Sequence, residues 1–139
     1  MTKDVLITIT GRQLGAEGDS VSLNVPGTYH INNGKHYILY EEKIEGSKAL
    51  SKNLLKISSG MVVLMKKGLV KSQMIFNIKE STHTVYPTLY GDIPLEINTK
   101  SIRTKEEGNC MELSLNYSLW SEGFHLSDNH LSVIIKTKE

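Results

Sequence analysis

The chain has 139 residues and a formal net charge of +1, so it fits one domain, residues 1–139, with no overall field to draw it to nucleic acid or an acidic membrane. Its 39% hydrophobic and 22% charged residues are the balance of a globular protein. The lone cysteine, Cys110, excludes an internal disulfide, and "MTKDVLITIT" holds no apolar segment of signal length; both point to an unprocessed cytoplasmic protein.

In chain order, short runs of alternating apolar and polar residues dominate, and helical periodicity is scarce. "DVLITITGRQ" puts Val5, Ile7 and Ile9 on one side of a first strand. "DSVSLNVPGTYHI" follows with Val21, Leu23 and Val25, and Pro26-Gly27 predicts a bend or bulge within it. Asn33-Gly34 is a strong hairpin signal, because a type I′ turn needs positive φ at both central residues. It pairs that strand with "KHYILYEEKI". "IEGSKALSKN" reads as a loop or one helical turn, then "NLLKIS" and "MVVLMK" flank a turn at Ser59-Gly60. "LVKSQMIF" comes after a reversal at Lys67-Gly68.

"YPTLYGDIPLEINTKSI" reads as a long strand or two, with Gly91 as a bend. Beyond a turn at Gly108-Asn109, "CMELSLNYSLW" sets Met111, Leu113, Leu115, Tyr117 and Leu119 against Glu112, Ser114, Asn116 and Ser118, so one face is buried and one is wet. "HLSDNHLSVIIKTK" ends the chain, with a turn at Asp128-Asn129 and Leu131, Val133 and Ile135 inward. The expected fold is all-β: an antiparallel, closed, up-and-down barrel of about eight strands, which removes the exposed edges of an open sheet. A two-sheet sandwich is the competing architecture, and its long crossovers are not evident.

The segments "YILYEE", "VLMKKGLVKSQMIF" and "YPTLYGDIPLEINTKSI" carry a family resemblance in their order and spacing. With Tyr40-Glu41-Glu42, Gly68, Phe76, Tyr86-x-Thr88-x-x-Gly91 and "LNY" at Leu115 to Tyr117, the chain from about Tyr29 to Tyr117 resembles the YwiB-like family of small bacterial proteins of unknown function. The resemblance implies a calycin-like (lipocalin-like) barrel in a bacterial cytoplasm and no catalytic residues. The Gly-x-Trp of true lipocalins is absent near the first strand, where "TGRQ" stands; the one Trp is Trp120.

No nucleophile elbow or phosphate-binding Gly loop is present. The five histidines include His30 and His36 astride the Asn-Gly hairpin, near enough in sequence to approach across it. They read as surface turn residues, so neither a metal nor a cofactor is expected. The candidate ligand-binding set is Tyr40, Glu42, Lys71, Tyr86 and Thr88. Tyr40 and Glu42 share a face by their spacing of two, as do Tyr86, Thr88 and Tyr90, and a buried Glu42 needs a cation such as Lys56 or Lys71. If these faces point inward, phenols, a carboxylate and an ammonium suit a small amphipathic or anionic molecule. The alternative is a filled barrel acting through its outer surface or as a homodimer. An enzyme ranks behind both. The expected partners are a small molecule and a second copy, with no nucleic acid and no membrane.

Overall fold

The structure is a computed structural model that describes residues 2–14, 20–43, 49–68 and 71–138, except the side chain of Thr88. Its strands are β1 (Lys3–Leu14), β2 (Val21–Asn32), β3 (Lys35–Lys43), β4 (Leu50–Ser58), β5 (Met61–Lys67), β6 (Lys71–Asn77), β7 (Thr82–Thr88), β8 (Gly91–Glu107), β9 (Cys110–Ser121) and β10 (Phe124–Thr137). All belong to one antiparallel sheet in the order β6-β5-β4-β3-β2-β1-β10-β9-β8-β7. Consecutive strands are hairpins except β6 and β7, the two edge strands, and β10 returns to pair with β1. The expected loop of "IEGSKALSKN" falls partly on residues 44–48, outside the described residues; Leu50 onward is already strand.

The edge strands β6 and β7 come together and nearly close the barrel. Their junction differs from every other. No backbone ladder joins them; instead the Thr82 hydroxyl donates to the Ile75 carbonyl and the Thr84 hydroxyl to the Gln73 carbonyl at 2.6 Å. Two β-branched residues with hydroxyls thus satisfy carbonyls that a barrel edge otherwise leaves open.

Alternation builds the interior. Val5 and Ile7, Ile38, Leu55 and Ile57, Val62, Phe76, Ile97, Leu113 and Leu115, and Val133 are all buried, each from the inward set of its strand. Each such side chain contributes about 1.5–3 kcal/mol when removed from water. Phe76 and Tyr117 meet edge to face at 4.7 Å between ring centroids, joining β6 to β9 across the lumen.

The strands number ten rather than about eight, and among them "THTVYPT" forms a strand of its own, β7, five of whose seven residues are Thr, His or Pro. Gly91 is not a bend in a continuous strand. It leaves the Leu89-Tyr90 turn at φ 117, a conformation that only Gly adopts without strain, and opens β8. The turn expected at Asp128-Asn129 is at Glu122-Gly123 instead, with φ 50 and 84, and β10 runs unbroken through Asp128 past a register shift between His125 and Ser127. Nor do Pro26 and Gly27 shift the register: Pro26 pairs with Leu6 and Gly27 with Val5. No helix of the described residues is long and apolar enough to cross a membrane.

Candidate functional site

In this hairpin order the turns alternate between the two ends of the barrel. The β2–β3, β4–β5, β6–β7 and β8–β9 turns lie at one end, and the Leu89-Tyr90 and Glu122-Gly123 turns lie at the other, where β1, β3 and β5 end. This second end is where the interior changes character. Along β3 the inward set runs Ile38, Tyr40, Glu42; along β4 it runs Ile57, Leu55, Asn53, Ser51; along β5, Val62, Leu64, Lys66; along β6, Phe76, Met74, Ser72. Tyr40 pairs with Asn53, Glu42 with Ser51, Asn53 with Lys66, and Lys66 with Ser72. Four neighbouring strands therefore pass together from apolar to polar as they reach the open end.

The polar side chains bond to one another. Asn53, 1% exposed, is the hub: it accepts from the Ser51 hydroxyl at 2.6 Å, donates from Nδ2 to Glu42 Oε1 at 2.9 Å, and hydrogen-bonds the Tyr40 hydroxyl. Lys66 Nζ stands 3.3 Å from the same Glu42 oxygen. Burial, and secondarily the Glu42 carboxylate, push the Tyr40 phenol up to about 12, an effect that the Asn53 hydrogen bond partly offsets. Tyr40 is therefore a neutral phenol at neutral pH. Its ring has room because its cross-strand partner is Gly27. A Cβ on Gly27 would meet Ile7 Cδ1 and the Leu39 carbonyl at 2.5 Å, so the glycine that suggests a bulge from sequence serves instead as a gap for side-chain packing.

Next to this network lies a cavity of about 580 Å³ open to one side, within the range of sites for small molecules. Glu42, Ser51, Lys66 and Ser72 form its polar end, and Leu64, Met74, Phe76, Tyr117 and Leu131 its apolar wall. Tyr86 and Pro87 of β7 stand at its open side. Burial also raises the pKa of Tyr117 in the wall.

Of the candidate residues, Glu42 and Tyr86 line this cavity, and Tyr40 supports its wall through Asn53. Lys71 is exposed, on the opposite face of β6 from the inward Ser72. Thr88 pairs with Gly91, and its side chain lies outside the described residues. The cation beside Glu42 is neither Lys56 nor Lys71 but Lys66; Lys56 points outward and sits 5.7 Å from the centroid of the Tyr37 ring. Asn53, Ser51 and Lys66 escaped the sequence reading, although the spacing Asn53, Leu55, Ile57 already aligns the first with inward apolar residues.

The histidines do not converge. His36 bonds the Tyr29 hydroxyl through Nδ1 at 2.7 Å while His30 stacks on Tyr37, so the two lie on opposite faces of the hairpin. His130 bonds Asn116, His83 lies 3.4 Å from Glu96, and His125 lies 3.0 Å from Asp128, whose carboxyl it holds below its usual range. Among the described residues no three His, Cys, Asp or Glu side chains are grouped to hold a metal.

Comparison with known proteins agrees with this architecture. Residues 7–133 match the family model described as a domain of unknown function, DUF1934. The uncharacterized β-barrel protein YwiB of Bacillus subtilis (strain 168) is 28% identical over 99 residues, covering 71% of this chain and 68% of that protein. The crystal structure of the ywiB protein from Bacillus subtilis superposes with a TM-score of 0.82 over 99% of this chain and 94% of the other, at 20% identity, a likeness of fold. The YwiB-like resemblance of the sequence motifs is thus borne out.

Proposed function

The chain belongs to the DUF1934 family, and we propose that its barrel is a bacterial binding protein for one small amphipathic molecule with an anionic, acceptor-rich head. The observation that carries this reading is the division of the cavity of about 580 Å³ into an apolar wall and a polar end. An apolar moiety packs among Leu64, Met74 and Phe76. The head reaches Lys66 and Ser72. Glu42 Oε1 is already occupied by Asn53 and Lys66, whereas the ammonium of Lys66 gives only one of its three N–H groups to Glu42, so the donors left over favour an acceptor. Calycin-type barrels hold ligands in this manner, with a few placed polar groups orienting an apolar guest. The lone Cys110 supports a cytoplasmic setting.

Native mass spectrometry of gently purified protein, joined to uptake of a fluorescent anilinonaphthalene sulfonate, tests the reading. Wild-type protein should carry a mass lost on denaturation, or take up the dye at one site. Lys66→Met should weaken dye uptake about tenfold, the loss of one charge-assisted contact of about 1.4 kcal/mol, and Leu64→Trp should block uptake by filling the apolar wall. Clean apoprotein without dye uptake, or uptake indifferent to both variants, would sink the proposal in favour of a filled barrel.

A further inference from the structure

The open end carries two features that neither the fold nor the cavity requires. The first is a row of like charge. On the outward faces, Lys52 of β4, which also stands opposite Glu41 of β3, pairs with Lys67 of β5, and Lys67 with Lys71 of β6. Like charges placed directly opposite destabilise a sheet, and none of the three makes an ion pair among the described residues. The second is apolar. Leu89 and Tyr90 form the β7–β8 turn and are each 99% exposed, and Phe124, just past the Glu122-Gly123 turn, is 74% exposed. Turns ordinarily take Gly, Asn, Asp or Ser at such positions, so a fully exposed Leu adds nothing to folding and exposes apolar surface to water.

These features adjoin. Thr84 of β7 bonds the Gln73 carbonyl of β6 across the seam. Two residues further toward the open end stand Lys71 on β6 and Tyr86 on β7, with Leu89 and Tyr90 beyond. The net charge of +1 predicts no attraction to a membrane for the molecule as a whole, and Asp92 and Glu122 flank the apolar tip, but Lys67 and Lys71, with no ion pair among the described residues, set positive charge beside it. A second copy meeting this end would bring one lysine row toward another. An anionic bilayer surface complements both parts, taking lysines at its headgroups and Leu, Tyr and Phe at the acyl boundary. We infer that the open end docks on an anionic lipid surface through Lys52, Lys67, Lys71, Leu89, Tyr90 and Phe124. Docking is independent of whether the cavity is a binding site.

Sedimentation with vesicles of phosphatidylcholine, alone or with about one third phosphatidylserine, tests this on the ligand-free protein. The wild type should bind the anionic vesicles and not the neutral ones, and added salt should release it. Each headgroup lysine contributes about fivefold, so Lys67→Gln with Lys71→Gln should weaken binding about 25-fold. Leu89→Ser with Phe124→Ser should abolish binding while melting temperature and dye uptake stay as in the wild type. Equal binding to both vesicles, no binding, or variants that bind like the wild type overturn the inference. So does a wild-type dimer that Leu89→Ser with Phe124→Ser converts to monomer, which would assign this end to a second copy.

Discussion

Replacing Asn53 by Ala tests whether the polar end of the barrel is a built network. The substitution removes an acceptor for the Ser51 hydroxyl at 2.6 Å, a donor to Glu42 at 2.9 Å and the partner of the Tyr40 hydroxyl. A neutral hydrogen bond contributes about 1 kcal/mol net, and one to a charged group about 1.5–3 kcal/mol. Glu42 retains Lys66 and faces the open cavity, so its loss belongs at the low end of that range. The sum is about 3–4 kcal/mol, borne chiefly by Tyr40, which is buried and, unlike Glu42 and Ser51, does not line the open cavity. In a domain of this size about 1 kcal/mol moves the melting temperature by roughly 3–5 °C, so Asn53→Ala should melt about 10–15 °C lower by calorimetry.

Asn53→Asp separates network from packing. It keeps the shape and the acceptor for Ser51, but loses the donor to Glu42 and sets a second carboxylate beside it, with Lys66, at 3.3 Å, the one cation paired with Glu42 among the described residues. Two carboxylates this close cannot both ionise without penalty. Asn53→Asp should therefore be destabilised at neutral pH and recover in mild acid, where the pair shares a proton. A loss below about 1 kcal/mol for Asn53→Ala, with no acid recovery for Asn53→Asp, would refute the reasoning and mean that water substitutes freely for the hub.

Gly27→Ala should destabilise by about 1–3 kcal/mol through overpacking, because its Cβ would meet Ile7 Cδ1 and the Leu39 carbonyl at 2.5 Å; an unchanged urea midpoint would mean that the β2–β3 pair yields easily. Thr82→Val with Thr84→Val keeps the shape of the β6–β7 seam but removes both bridging hydroxyls, so amide exchange should quicken along 71–77 and 82–88 ahead of the rest of the barrel; uniform exchange would show that side-chain packing alone holds the seam. Alkaline pH supplies a further test. The Tyr40 phenol is raised from 10.0 to about 12 in the folded protein, so the folded state holds its proton more tightly and the corresponding stability is intact below pH 10. It is lost as pH rises from 10.0 toward about 12, by ~3 kcal/mol in all. Chemical denaturation across that window should show the decline, and Tyr40→Phe should flatten it; an equal slope in both proteins would assign the decline to other groups, among them Tyr117, whose phenol is raised in the same direction.

The barrel was legible in the sequence because alternation with a period of two is a direct consequence of strand geometry, and Leu113, Leu115 and Val133 could point only one way. The same parity put Tyr40 and Glu42 on one face, which the pairing of β3 with β4 turns inward. It failed where apolar residues occupy both faces: "MVVLMKK" has Val62 and Leu64 on one side and Met61, Val63 and Met65 on the other, so nothing local says which of Lys66 and Lys67 turns inward. That choice is made by pairing with β4, which sets Asn53 against Lys66 and Lys52 against Lys67. A slip of one residue would turn Lys66 outward and Lys67 inward. The partner of Glu42 is thus a property of register between strands, and a search for a cation by proximity in sequence or by residue type alone selects Lys56 or Lys71.

The same reasoning gives the polar end its structural significance. A barrel filled only for stability gains most from apolar side chains in all its layers, since replacing a buried ion pair by well-packed apolar residues is often neutral or stabilising. Here the layers formed by Ile38, Leu55, Val62 and Phe76 are apolar, whereas the layers of Tyr40, Asn53 and Lys66, and of Glu42 and Ser51, are polar and mutually bonded. Exposure at a barrel end does not account for this, because Asn53 is 1% exposed and Ser51 6%. Their hydrogen bonds fix Glu42, and through it Lys66, at the boundary between the network and the cavity. A ligand head would meet a preorganised ammonium rather than a mobile one, which lowers the ordering cost of binding. On this argument Asn53→Ala should impair dye uptake as well as stability, even though Asn53 itself does not line the cavity.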